Sequence, residues 1–221
     1  IVAAARERKY GYVAITDHSK GLGVARGLDE GRVRKQIEAI DAANGKMKGF
    51  RILSGIEVDI RGDGTLDLPD GLLKELDIVV ASIHSGFRQP GEQLTKRLVA
   101  AIRNPYVSVI AHPTGRLLGE REAYPVDMEA VLAEAARCGT ALEINAYPQR
   151  LDLSDSHARA AKRLGIPLAI ATDAHILSNL DYMSYGVAIA RRGWVGPGDV
   201  LNALPLPKLA KRLRGMRGKR V

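Results

Sequence analysis

Only one cysteine, Cys138, stands in the 221 residues, so no disulfide can close within the chain. Such usage suits a reducing compartment, and no signal peptide is visible in the short, charged, amphipathic stretch 1–8. The expected location is therefore the cytoplasm. Apolar runs stop at about strand length, well below the ~20 residues of a membrane helix, and no membrane partner is expected. No G-x-x-x-x-G-K-[ST] loop and no G-x-S-x-G elbow occurs, which removes a phosphate-cradling P-loop and a serine nucleophile. Gly21-Leu22-Gly23 with Gly27 fails the spacing of a dinucleotide loop and follows Asp17-His18 instead of joining a strand directly to a helix. Cys138, just before Gly139, reads as a small helix residue and not as a catalytic thiol. Acids vanish after Val200, while Lys208, Lys211, Arg212, Arg214, Arg217, Lys219 and Arg220 carry seven of the net +8. This basic tail, 205–221, either attracts polyanions such as nucleic acid or is a solvated terminus, and the charge run alone favours neither. The chain opens on Ile1 and not on Met, which fits a fragment or a processed chain.

What is present is a regular alternation. Short apolar runs predict strands at 12–16, 51–60, 77–83, 106–111, 140–145 and 168–172. Amphipathic segments predict helices at 28–43, 72–76, 91–103, 128–137, 154–164, 185–192, 198–204 and from 207 onward, with Ser154 or Asp155 as one N-cap. The strands are near-continuous apolar runs, the pattern of strands buried on both faces of a parallel sheet. Six βα-type units predict an open doubly wound sheet or a barrel, built as one domain over 1–204.

Four of the five histidines follow an apolar strand directly: His18, His84, His112 and His175. Asp17 and Asp173 precede two of them, Glu57 lies near the end of another strand, and Glu143 lies inside one. In a parallel barrel the C-terminal strand ends share one mouth, so side chains far apart in sequence converge there. Histidines and carboxylates gathered this way form a ligand set for Zn, Mn or Fe. A lone strand-end histidine is more often structural, but four such placements argue for a cluster. His157, inside a helix, reads as a surface residue. Lys20, Arg88, Arg116 and Arg150 each follow a strand-end motif by a few positions, as residues binding a phosphate ester would.

The motifs Asp17-His18, Gly55-Ile56-Glu57, Ser82-Ile83-His84-Ser85-Gly86, His112-Pro113-Thr114-Gly115-Arg116 and Thr172-Asp173-Ala174-His175 resemble those of the polymerase and histidinol phosphatase (PHP) family. The run Leu142-Glu143-Ile144-Asn145-Ala146, continuing through Arg150-Leu151-Asp152, is similar to the C-terminal domain of bacterial family X DNA polymerases. Tyr185-Gly186-Val187-Ala188 with Arg191-Arg192-Gly193-Trp194 is similar to the same group. The resemblance implies a distorted (β/α)7 barrel, here without its first strand, leaving about six parallel strands and outer helices. It implies up to three divalent ions and metal-assisted phosphodiester hydrolysis at DNA 3′ ends, with a polymerase domain upstream in the parent chain. By the same resemblance Glu57 bridges two ions, His84 and His112 complete the second site, and Asp173 binds the first. His18 and His175 bind the third, Asp17 orients a ligand, and Asn145 joins the basic residues as a substrate contact. The family's opening His-x-His motif is absent, so a weakened site is expected. A stand-alone phosphatase of histidinol-phosphate type and a structural domain without catalysis remain the alternatives.

Overall fold

The computed structural model describes residues 1–21 and 27–217. Leu22 and Gly23 of the glycine-rich stretch, and Lys219 and Arg220 of the basic end, lie outside the described residues. Six parallel strands in sequential order, β1 to β6, form one curled sheet. They are β1 (Tyr12–His18), β2 (Arg51–Asp59), β3 (Ile78–Ser82), β4 (Val109–Ile110), β5 (Ala141–Asn145) and β6 (Leu168–Ala171). The α-helices among the described residues are α1 (Val2–Glu7), α2 (Glu30–Lys46), α3 (Asp70–Leu73), α4 (Gly91–Arg103), α5 (Met128–Cys138), α6 (Asp155–Arg163), α7 (Met183–Arg192) and α8 (Leu206–Met216). Among the described residues β1 and β6 share no ladder, so the barrel is left open, as a seven-stranded design missing one strand would be.

Local sequence explains the helix limits. Asp29, Asp127 and Ser154 each accept a hydrogen bond from an N–H of the first turn they cap. α5 ends where Gly139 adopts φ +68°, a conformation costly for any residue with a Cβ. Cys138 is buried there as a packing residue.

Strand alternation separates two environments. Outward-facing Ile56, Val58, Val79, Ala81, Leu142, Ile144 and Ile170 pack beneath the helices as the main core. The inward row changes character along each strand. Its N-terminal half is apolar, with Tyr12, Ala14, Leu53, Ile78, Val80, Val109, Ala141 and Ala169. Its C-terminal half carries His18, Glu57, Asp59, Glu143 and Asn145. The barrel interior is thus dry at one end and polar at the other.

α8 closes the dry end. Leu209, Leu213 and Met216 are buried in the cluster formed by the apolar inward row. Arg217 donates to the carbonyls of Lys74, Leu76 and Asp77, which anchors the end of the helix. The segment expected as a separate basic tail is therefore part of the fold through Arg217, because apolar residues recur at helical spacing among the charges. Lys208, Lys211, Arg212 and Arg214 form its exposed face, at the end of the barrel opposite the polar mouth.

Two elements differ from expectation. The strand predicted at 106–111 pairs over Val109–Ile110, because Asn104-Pro105 turns the chain and Val107 still bonds back to Asn104. The helix predicted at 198–204 is two 3-10 turns, Pro197–Asp199 and Leu201–Ala203. Asn202, inside the second turn, donates to the Ile170 carbonyl and accepts from its N–H, satisfying the open edge of β6.

Candidate metal centre

The parallel register lifts His18 beside Glu57 at the ends of β1 and β2. Glu57 is the hub. Its Oε1 lies 3.2 Å from His112 Nε2 and 3.3 Å from His84 Nε2, and its Oε2 lies 3.7 Å from His18 Nδ1. Ligand atoms of His18, Glu57 and His84 all lie within 4.8 Å of one another, close enough to share one ion. His175 Nδ1 stands 3.7 Å from Asp173 Oδ1, and the His18 and His175 rings are 5.9 Å apart. The mouth thus brings together all six residues expected as ligands.

Two of them sit in strained backbone. His112 has φ +29° and Asp173 φ +51°. Non-glycine residues in this region cost ~1–3 kcal/mol each and need surroundings that hold them. Glu143 supplies part of that hold by accepting the His112 N–H at 2.7 Å, and Asp152 accepts the N–H groups of Thr114 and Gly115.

The electrostatics favour a cation. Burial pushes the Glu57 carboxyl upward, but hydrogen bonds from His112 and His84 outweigh it and hold the group well below the usual range. Burial pulls His84 down, yet Asp59 and Glu57 win and raise it to about 9. Burial drives the His18 imidazole down. Burial, with the charges of Asp173 and Glu57, pushes Glu143 well above its ordinary value. A proton on His84 therefore occupies the place a cation would take, and metal loading must displace it.

The donor set fits a divalent ion. His18 Nδ1 and His112 Nδ1 are buried with no hydrogen-bond partner. An unpaired buried nitrogen costs ~1–3 kcal/mol, and a cation among imidazole and carboxylate donors gives His18 Nδ1 the partner it lacks.

Several expected residues stand elsewhere. Asp17 faces away from the mouth, because it neighbours inward-facing His18 in an alternating strand, and it accepts from Gln36 on α2. The orienting part expected of it falls to Asp59, whose Oδ1 lies 3.4 Å from His84 Nδ1 and accepts the His84 N–H at 3.2 Å. The sequence signal was the Glu57-x-Asp59 spacing, which puts both acids on one strand face. Asp67 was missed as well; it accepts from Ser19, Gly21 and the Asp59 N–H. Asn145 is fully buried and donates to Glu143 at 3.2 Å and Asp173 at 3.3 Å, which engages its amide with two carboxylates of the mouth.

The basic residues divide. Arg116 is bound to the carbonyls of Arg150 and Leu151 and braces that loop. Lys20 lies 3.8 Å from Glu30 on the exposed side. Arg150 lies 3.7 Å from Asp173, its Nη1 is buried without a partner, and it lines a hollow of about 250 Å³ with Tyr147, Asp173 and His175. Arg88 lines a separate hollow. His157 is half-buried in the first turn of α6, not on the surface, and is absent from the cluster.

Comparison with known proteins places this geometry. No family model matches the chain. It is 50% identical over 200 residues to a Bacillus subtilis DNA polymerase/3′-5′ exonuclease PolX, covering 90% of this chain and 35% of that protein. It is 35% identical over 167 residues to a probable phosphatase of Thermoanaerobacter sp., covering 71% of this chain and 66% of that protein. It is 31% identical over 223 residues to a probable phosphatase of Shewanella sediminis, covering 96% of this chain and 86% of that protein. The chain therefore spans about a third of one of these relatives and most of another. With a like sequence along nearly its whole length, an open parallel barrel and histidines and carboxylates at its mouth, the chain belongs to the polymerase and histidinol phosphatase family.

Proposed function

We propose that the chain is a metal-dependent phosphodiesterase that removes nucleotides from DNA 3′ ends, the exonuclease part of a family X DNA polymerase active in repair in the cytoplasm. The observation that carries it is the His18, Glu57, His84 and His112 cluster at the mouth, in a chain half identical to a polymerase/3′-5′ exonuclease. The 35% share of that relative supports a polymerase domain in the parent chain. His18, Glu57 and His84 would hold one ion, with His112 beside His84 at the same Glu57 oxygen, and Asp173 and His175 would serve a neighbouring ion. The nitrogen and oxygen donors suit Mn or Zn, with Fe as a further candidate. A bound divalent ion supplies Lewis-acid polarisation of the phosphoryl oxygen and an acidified water.

The residues of the chain do the rest. Glu57 and Asp59 keep His84 in place. Asn145 fixes the Asp173 carboxylate. Arg150, which lines the hollow beside Asp173 and His175, would donate from its guanidinium to a phosphoryl oxygen as negative charge builds.

The test is Mn²⁺-dependent shortening of a 5′-labelled single-stranded oligonucleotide, with His112→Ala and His84→Ala as controls. Laddered products lost in both variants are expected. Hydrolysis retained in both variants overturns the assignment. A second reading, a phosphatase for small phosphomonoesters, is favoured by coverage of 86% of a probable phosphatase. Turnover of a phosphomonoester without shortening of DNA selects it.

A further inference from the structure

A second hollow, of about 650 Å³, opens between the loops that follow β3 and β4. Phe87, Arg88, Arg121, Glu122 and Tyr124 line it, and none of them belongs to the ligand cluster. Its volume lies in the range of pockets that take compact organic ligands. The Phe87 and Tyr124 rings are nearly parallel, 17° between planes, with centroids 5.4 Å apart. The guanidinium carbon of Arg121 lies 4.3 Å from the Phe87 centroid.

This stack is braced from behind the hollow. Tyr124 is buried, and its hydroxyl donates to the Ile83 carbonyl at 3.4 Å. Gly115, at φ +61°, passes so close that a Cβ there would fall 1.9 Å from the tyrosine ring. Arg121 donates twice to the Gly115 carbonyl, at 2.9 and 2.7 Å. The loop bearing Phe87 is tied down by fully buried Arg97, which donates to the Ser85 carbonyl and to Gln89. Two stacked aromatic rings with a guanidinium against them are thus held in place near the metal-ligand cluster. Phe87 follows His84 by three residues, at most about 10 Å of chain.

Flat stacks of this composition bind flat π-systems, and a nucleobase stacks on aromatic rings and arginine planes whatever its identity. Glu122 disfavours a bare phosphate in the hollow and can accept from an exocyclic amino group. Exposed Arg88 at the rim suits the adjoining backbone phosphate.

We propose that this hollow is a nucleobase subsite, which takes the base of a nucleotide flanking the phosphodiester at the histidine cluster. The proposal rests on the nuclease reading and adds to it how the strand is gripped. Occupying the hollow requires a base pulled out of its stack, so single-stranded or frayed ends are preferred over paired ones.

The test is titration of a single-stranded oligonucleotide bearing 2-aminopurine at its last two 3′ positions with the whole chain in EDTA. Saturable quenching is expected. Phe87→Leu keeps the apolar bulk, loses the ring, and should weaken binding about tenfold, as should an oligonucleotide abasic at those positions. Arg88→Ala should lower the salt dependence by about one ion. Thermal melting verifies that each variant is folded. Equal quenching and affinity in wild type and folded Phe87→Leu, or unweakened binding of the abasic strand, overturns the subsite. Cleavage by the wild type with quenching unchanged in Phe87→Leu removes the subsite and keeps the nuclease. Quenching lost in Phe87→Leu, with no cleavage by the wild type under any divalent ion, keeps the subsite and removes the nuclease.

Discussion

Replacing Leu213 by Ala should unfold the protein sooner without touching the metal centre. Leu213 is 4% exposed and packs with Leu209 and Met216 against the apolar inward row of the strands. Three buried carbons at about 0.8 kcal/mol each give ~2–3 kcal/mol of lost transfer energy, before any cavity is counted. Measured leucine-to-alanine costs run ~2–5 kcal/mol, and α8 is a terminal helix that can settle inward, so the expected loss is about 3 kcal/mol. For a domain of this size that lowers the melting temperature by about 6–12 °C. Lys211 sits on the exposed face of the same helix, and Lys211→Ala should stay within ~0.5 kcal/mol of wild type. Urea unfolding followed by circular dichroism measures both. Mn²⁺ affinity, measured calorimetrically well below the transition, should be equal in both variants, because the centre lies at the opposite end of the barrel. If Leu213→Ala unfolds within ~0.5 kcal/mol of Lys211→Ala, α8 is a loose basic tail and does not cover the dry end of the barrel.

Asn145→Ala should cost about 10–100-fold in metal affinity or turnover, since Asp173 and Glu143 lose the amide that orients them; calorimetry and kcat measure each. Asp59→Asn should lower the His84 pKa from about 9 in the metal-free protein, seen by NMR titration of the imidazole, because Asp59 is one of the two acids that raise it. Arg150→Ala should reduce kcat by about 10²–10³, since its guanidinium lines the hollow beside Asp173 and His175, and a loss confined to KM would show that it does not act on the developing charge. Glu134 is held down at about 2 by hydrogen bonds from Arg137 and Arg103. Its depressed value means that the stabilisation is present above the ordinary carboxylate value of 4.5 and is lost as pH falls toward 2. Both arginines are more than half exposed, so Glu134→Gln should flatten that acid limb of stability by only about 1 kcal/mol.

Much of the fold was legible locally. Apolar runs of strand length marked all six strands, and the caps Asp29, Asp127 and Ser154 precede their helices in the pattern that side-chain capping demands. The convergence of the candidate ligands was legible too, because a histidine directly after an apolar run is at a strand end, and parallel strand ends share one mouth. The errors share a physical cause. Asp17 and His18 are neighbours in sequence and point to opposite sides of one strand. Asn145 and Arg116 carry groups suited to phosphate, but tertiary partners had already engaged them. The basic end read as a tail because its seven charges overshadow three apolar residues at helical spacing.

The amino-acid sequence by itself determined the alternation of strands and helices, the parallel class of the sheet and a strand-end set of histidines and carboxylates, since each follows from local periodicity and spacing; the family resemblance narrowed that set to six candidate ligands. Only the tertiary structure decided that Glu57 is the hub, that Asp59 stands behind His84, that α8 closes the dry end, and that Arg121, Phe87 and Tyr124 form one stack. Those relations join residues from separate strands and loops, and their distances are set by sheet register, barrel curvature and packing, which no short stretch of sequence encodes.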